Sequence, residues 1–477
     1  MKHLHLIYTL LFGVAVLLFF GLAYPHHLHY QEQFQLFLFD NSYVLDVLNR
    51  PGGLADLLGR FTTQFFLYAW VGAALIAVLL STVQLLSWCL LRRLSLAHRI
   101  GWGSVLFALS FLPSSLLWLF LLDENALMSG PWAVMLTLLV AWGYQALPRR
   151  RYHWLCLLFI IPALYWLVGP VSVPIPADAL WLDVHYYRYP SVFPVLLWGS
   201  AVVAFLVAVT GIVVHKETEL GHSIPSGSVI LRTVPTLLLM VVVGLLVSHH
   251  ANFKAERVMH YDFMARYQQW NRILQTIDAE RPNNQIGVTV QNLALAMHGR
   301  LADHLFDYNQ NGTAGLLPDV RTDATSPLPT AEAFYQLGMI SVAQRTVFEA
   351  QEAILDYQKS ARCYKRLAET NLILGHYAVA RKYLMALQKT LFYRQWATQT
   401  LALLNNELAI SRHPEYGRLR KMSYYDDFFF GGHVSAQMLE SLFDVNPSNR
   451  LAYEYLVAYY KLTGDRESYV KFLRRLQ

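Results

Sequence analysis

Residues 234–270 read VPTLLLMVVVGLLVSHHANFKAERVMHYDFMARYQQW. From Val234 to Ser248 there is no charge. From Lys254 onward Glu256, Arg257, Asp262 and Arg266 arrive every few positions. A segment that apolar suits hydrocarbon, and the amphipathic run after it suits water. The chain therefore divides here, and its two halves are built for different solvents.

The composition follows from that division. Of 477 residues, 55% are hydrophobic and 15% charged, where a soluble domain carries about 25% charged residues. Mean hydropathy is +0.31. Upstream of Ser248 seven apolar runs approach bilayer length. They are Leu6–Tyr24, Phe65–Leu86, Val105–Leu122, Trp132–Leu147, Trp154–Val168, Val192–Val214 and Val234–Ser248. The first follows Lys2 directly and ends in Tyr24-Pro25-His26-His27, without a small-residue cleavage site, so it reads as an uncleaved span. Pro113 and Pro235 lie in or beside spans, where a kink is tolerable. Trp70, Trp88, Trp102, Trp132, Trp154 and Trp181 read as an interfacial aromatic belt.

Orientation follows from basic residues in short loops. With the N-terminus in the cytoplasm, the inner segments hold Lys2, Arg92, Arg93, Arg99, Arg149, Arg150, Arg151 and Lys216. The outer ones hold only Arg50, Arg60 and Arg188. Seven spans then place residues 249–477 outside the cytoplasm. The expected division is a transmembrane domain at 1–248, with an amphipathic first outer loop at 25–64, and an extracytoplasmic helical domain at 249–477. The net charge of +6 comes without a dense basic stripe, which argues against nucleic acid as a partner. Cys89, Cys156 and Cys363 are scattered and indicate neither a disulfide nor a metal site. The residues name no cofactor and no metal.

The first outer loop is too polar to span a bilayer and too apolar to be free. Leu36, Phe39, Tyr43, Val47 and Leu48 recur at helical spacing, as do Leu54, Leu57 and Leu58, with Pro51-Gly52-Gly53 as a breaker between them. Two short amphipathic helices are expected. Glu32, Asp40, Asp46 and Asp56 supply carboxylates there, and His26, His27 and His29 supply imidazoles. Asp123 and Glu124 stand at the outer end of the third run. Paired carboxylates at one membrane surface can hold a divalent cation or take a proton from an acceptor hydroxyl. Glu32, Asp40, Asp123 and Glu124 are therefore the candidate catalytic residues, set against the plainer reading of solvated loop acids.

The second half is expected to be all helix and repetitive. GHYAVARKYLMAL at 375–387 has the spacing of a tetratricopeptide hairpin, through Gly375, Tyr377, Ala380, Leu384 and Leu387. A looser copy uses Gly338, Ile340, Ala343, Val347 and Ala350, and weaker echoes lie at Gly299 and Gly464. Such hairpins stack into a solenoid that commonly receives a peptide or protein partner. Asn309–Pro329 is the main irregular insert. Asp426-Asp427 is an isolated acid pair, and Arg418, Arg420 and Lys421 form a small basic patch.

Several strings resemble an uncharacterised family of bacterial multispanning membrane proteins with a tetratricopeptide-like tail. They are YQEQFQLFLF at 30–39, PGG at 51–53, TQFF at 63–66, AETNLILGHYAVARKYL at 368–384, HPEYGRLRKM at 413–422 and NPSNRLAYEYLVAYYKL at 446–462. The resemblance implies the inner membrane of a Gram-negative cell with a periplasmic tail. It carries no activity.

The architecture is also similar to C-type membrane glycosyltransferases. These have a seven-span core, surface helices in the first outer loop and acids in the outer loops. That likeness implies Glu32 or Asp40 as base, Asp123 or Glu124 assisting, and a lipid-linked sugar as donor. The chain departs from the pattern in having Pro25 and His26 where an acid usually follows the first span. Arg188 and Arg60 are the candidates for a lipid phosphate.

The fold class expected is thus all-α, a polytopic membrane domain of about seven spans followed by a tetratricopeptide-like repeat domain. The expected function is presentation of a periplasmic helical platform for protein–protein interaction or envelope assembly. The alternative is a glycosyltransferase-like enzyme at the outer membrane face.

Overall fold

The computed structural model describes residues 3–98, 103–146, 195–213, 229–319, 326–354, 358–424 and 436–475, with fragments between 156 and 163. Among them the chain is helical, and the one isolated bridge joins Asn311 and Thr313. Two compact units meet at Phe253 and Lys254, five residues beyond the boundary expected from hydropathy.

In unit 1, α1 (His3–Leu18) continues through a wide turn at Phe19–Ala23 into α2 (Pro25–Gln31). Then come α3 (Asn41–Leu48), α4 (Gly53–Thr63) and the long α5 (Ala69–His98). α6 (Gly103–Leu109) and α7 (Leu112–Phe120) are one apolar run broken at Ser110-Phe111, next to Pro113. Among the described residues α8 (Ser129–Ala146), α9 (Val195–Val213) and α10 (Val229–His250) follow.

Four helical segments are long and apolar enough to cross a membrane: His5–Ala23, Ala69–Arg92, Gly103–Phe120 and Thr233–His250. They correspond to the first, second, third and seventh expected spans. The sixth corresponds to the shorter apolar helix Val195–Thr210, and the fourth to α8. Most of the fifth lies outside the described residues, as do Arg188 and the pair Asp426-Asp427. Large apolar side chains face outward on these helices, with Leu10 67%, Val78 64% and Leu245 64% exposed. Such surfaces are stable in lipid and costly in water.

The centre of unit 1 is aromatic and aliphatic, with Phe12, Val16, Phe20, Ile76, Leu80, Val83, Phe111 and Leu138 all buried. A line of polar side chains runs through it. Thr9 Oγ1 donates to Gln84 Oε1 (2.7 Å), and Gln84 Nε2 donates to Ser110 Oγ (2.9 Å). Ser114 Oγ bonds Leu80 O (2.8 Å), and Ser200 Oγ bonds Pro113 O (3.0 Å). With no water available, these bonds fix which helices are neighbours.

Unit 2 begins with α11 (Phe253–Arg266), α12 (Trp270–Glu280), α13 (Gln285–Met297) and the short α14 (Leu301–His304). Two hairpins follow, α15 (Pro327–Leu337) with α16 (Ile340–Glu352), and α17 (Ala361–Ile373) with α18 (Tyr377–Gln388). α19 (Arg394–Leu401), α20 (Glu407–Arg412), α21 (Tyr416–Met422), α22 (Ala436–Val445), α23 (Arg450–Thr463) and α24 (Arg466–Arg475) end the chain.

The four glycines marked by the repeat pattern all follow a helix in left-handed conformation, with φ of +63° (Gly299), +94° (Gly338), +83° (Gly375) and +71° (Gly464). At three of them the next N–H reaches back to the last turn. Arg300 N bonds Leu295 O, Met339 N bonds Phe334 O and His376 N bonds Asn371 O, at 2.8–2.9 Å. Only glycine takes this conformation without cost.

The insert after Asn309 is fastened by amides. Asn292 pairs with Gln310 and bonds Gly315 O (2.9 Å), while Gln291 bonds Asn309 O (3.0 Å).

Gly338→Ala should be costlier than Gly375→Ala. Both pay about 1 kcal/mol for positive φ. A Cβ at 338 would also sit 2.8 Å from Met422 O, whereas the space at 375 is open. Thermal melts of the two variants in detergent check the order.

Candidate functional site

The candidate acids of unit 1 are gathered around α2 and the turn after α7. His27 is wholly buried, and its Nε2–H donates to Leu121 O (2.9 Å). Gln31 Nε2 reaches Asp123 O and Ala126 O, both at 3.2 Å. α2 is thereby stitched to the turn 121–126, and Glu32, the next residue, is buried at 3% exposure. Tyr30 to Phe37 is an unbroken buried run.

Residues 35–40 are not helical, and Gln35 and Asp40 at the two ends are extended, so Leu36 and Phe39 do not join α3 as their spacing suggested. Asp40 is half-buried at the N-cap of α3. Asp123 is exposed, and its carboxylate accepts from Asn125 N (2.8 Å). Glu124 is half-buried. Desolvation pushes its carboxyl above the usual range, and the neighbouring Asp123 adds to the shift. The fold thus draws the segment holding Glu32 onto the segment holding Asp123 and Glu124, while Asp40 lies at the end of the non-helical stretch.

The spacing of the acids did not reveal the buried amides and hydroxyls carried by the segment that holds Glu32 and by the end of α4. Gln31, Gln33, Gln35, Thr62, Thr63 and Gln64 are all buried. Thr63 Oγ1 donates to Gln35 Oε1 (3.2 Å). Trp132 Nε1 donates to Thr62 Oγ1 (2.9 Å), so this tryptophan has an internal role beyond the expected belt. α4 comes close enough to α8 that a Cβ on Gly59 would lie 2.5 Å from Ser129 N. Gln31 Oε1 and Gln35 Nε2 are buried without a hydrogen-bond partner. These two atoms keep hydrogen-bonding capacity that the described protein groups leave unused.

Beside the patch, Arg60 pairs with Asp56 (2.7 Å) and approaches Tyr43 Oη (3.5 Å). Burial alone would lower the Arg60 pKa, but Asp56 and Tyr43 outweigh it and hold it above the ordinary value. Among the described residues no group of three or more His, Cys, Asp or Glu side chains is placed to hold a metal ion.

Unit 2 encloses a second charged cluster. Arg366 contacts Glu332 (2.6 Å) and Glu369 (2.9 Å), and its guanidinium lies 3.7 Å from the Tyr335 ring centre. Arg362 makes a two-pronged contact with Asp262 (2.6 and 2.8 Å). Burial alone would raise the Glu369 pKa, but Lys365 and Arg366 outweigh it and hold the carboxyl below its ordinary range. Three cations, Arg362, Lys365 and Arg366, thus meet three carboxylates, Asp262, Glu332 and Glu369. A fully paired cluster of this kind is structural.

Two members of the expected basic patch turn inward, while Lys421 stays exposed. Arg418 bonds Gln336 Oε1 (2.9 Å), and Arg420 bonds Leu372 O (2.9 Å) and Ile373 O (3.1 Å), the last carbonyls of α17. All of α15 is buried, and so is α17 apart from Tyr364 and Lys365. The inner faces of the hairpins are therefore covered by helices of the same unit.

A small, open apolar cleft lies in unit 2, lined by Met339, Ile340, Ser341, Val342, Tyr424, Met438 and Leu442.

Residues 2–477 match a family of unknown function, DUF6057. The chain belongs to that family. No curated protein and no solved structure matches it. Membership extends over both units and assigns an activity to neither.

Burial drives the His27 pKa down to about 3, against the Leu121 carbonyl bond that favours the charged form. An unfolded histidine takes up its proton near pH 6.5. Stability is full above that pH and falls as acid is added. Between pH 6.5 and about pH 5 the loss should be on the order of 2 kcal/mol. His27→Gln keeps a donor and cannot titrate, so its melting temperature should fall less over this range. In unit 2, Arg366→Met leaves two buried carboxylates short of a cation and should cost roughly 3–5 kcal/mol, read by denaturant unfolding.

Proposed function

We propose that this protein is a membrane-anchored docking protein of the cell envelope. In this reading the N-terminus is cytoplasmic and unit 2 is a periplasmic, tetratricopeptide-like module that receives a segment of a partner protein. The cleft between the start of α16 and α22 carries the reading. It offers an apolar lining of Met339, Ile340, Val342, Met438 and Leu442 with Ser341 at its exposed rim. The cleft is small and open, a seat for the tip of a single anchoring side chain. Methionines adapt such a lining to different apolar guests. The covered inner faces of the hairpins favour this cleft over a concave groove as the partner's seat.

The test uses the full-length chain in its own membrane. A photo-crosslinking residue at Ser341 should yield a discrete protein adduct, and Ser341→Trp, which fills the cleft from its rim, should remove the partner. Folded protein with no adduct at this position would end the reading. Reporter fusions after Gln477 check the topology, and a cytoplasmic C-terminus would remove the periplasmic module.

A second reading rests on the spare donor and acceptor beside Glu32. A buried carboxyl among glutamines and threonines is suited to a hydroxyl-bearing ligand, as in a transferase using a lipid-linked sugar. Glu32 would act as general base, with Asp123 or Glu124 assisting. Glu32→Gln should then lower sugar transfer to an acceptor by about 10²–10⁴-fold. Absence of transfer by the unaltered protein, across lipid-linked donors, would sink it.

A further inference from the structure

We propose that the outward face of α18, continued by the start of α19, binds the headgroups of anionic phospholipid. From Thr370 to Asn406 the chain has no Asp or Glu and carries Arg381, Lys382, Lys389 and Arg394. α18 within this stretch is two-faced. Ala380, Leu384 and Leu387 are wholly buried in the hairpin. Val379 (40%) and Met385 (54%) are exposed on the other side. Lys382 falls between them at helical spacing, and Arg381 is exposed beside it. Leu391 (45%) and the exposed Arg394 extend the pattern past the helix end.

The acids that approach this region stand at its edges. Glu352 bears electrostatically on Tyr383, and Glu407 is held by Tyr377 and Arg420. Glu369 is turned inward onto Lys365 and Arg366.

Bases interleaved with exposed aliphatic side chains are the pattern of a helix that lies in a membrane interface. The alternative occupant is an acidic protein. One helix face with three large apolar side chains is small against the roughly 800 Å² that a stable protein interface buries on each side. A lipid surface needs no such area, because the chain is already tethered. α10 ends at His250 and α11 starts at Phe253, so two residues join unit 2 to the last candidate span. A tether that short makes association intramolecular, and weak contacts then suffice. Each base near an anionic surface contributes roughly fivefold.

The test uses full-length protein in which Cys89, Cys156 and Cys363 are replaced and Met385→Cys carries an environment-sensitive fluorophore. It is reconstituted in vesicles of phosphatidylcholine alone, or with about one-third phosphatidylglycerol, each with a lipid-borne spin-label quencher. Quenching several-fold stronger in the anionic vesicles is expected, with loss in high salt and in Arg381→Glu/Lys382→Glu. Both substituted positions are exposed, so folding should persist, and melting of the double variant checks this. Soluble glycerol phosphate should not compete, which separates a lipid surface from a free phosphate. Equal quenching in both vesicles, or quenching that survives the charge reversal, would overturn the proposal. So would a label shielded from aqueous iodide in native membranes but open in both vesicles, an outcome that assigns the face to a protein.

Discussion

Gln84 lies wholly buried between Thr9 and Ser110, and both ends of its amide are engaged. Hydrocarbon offers such a group no substitute for water, so its partners must come from neighbouring helices. That one requirement sets α1, α5 and α6 side by side in a single register. The aromatic core of Phe12, Phe107 and Phe111 closes around the same contact. Because α2 leaves directly from the end of α1, the register also determines where His27 and Gln31 reach the turn at 121–126. The polar patch of the segment that holds Glu32 therefore depends on an amide deep inside the span.

Unit 2 meets the same constraint with full charges. Arg366 would be prohibitively costly to bury alone, and its surroundings supply Glu332, Glu369 and the face of Tyr335. Arg362 brings in Asp262 from α11, and Arg420 covers the end of α17. These contacts draw helices over the inner side of the hairpins. The cleft beside Met339 and the outward helix faces are left exposed.

Much of this was legible in local pattern. Four glycines chosen for their place in a weak repeat all proved to be left-handed helix ends, because the steric rule behind the pattern is local. Apolar runs located four helices long enough for a bilayer, and the breaker at Pro51-Gly52-Gly53 does separate α3 from α4. Other readings failed for a common reason. Leu36 and Phe39 sit at helical spacing, yet the chain there is not helical, since Phe37 packs edge-on against Phe39, Tyr43 and Phe61. Arg418 and Arg420 looked like surface charge because the carbonyls and amides that receive them lie 47 to 82 residues away. The string YQEQFQ did hold a signal, glutamines at positions 31, 33 and 35 leading into an apolar run, but the partners of Gln31 and Gln35 lie beyond α7 and on α4.

The sequence by itself determined the solvent of each half, its helical character and the sites where helices must end. Those properties are sums over neighbouring residues, and neighbours are what a sequence displays. Only the tertiary structure decided which polar groups find one another. His27 meets a carbonyl 94 residues away and Arg366 a carboxylate 34 residues away. Such pairings depend on three-dimensional register, so the covered hairpin faces of unit 2 and the buried amides of the segment that holds Glu32 emerge with the fold.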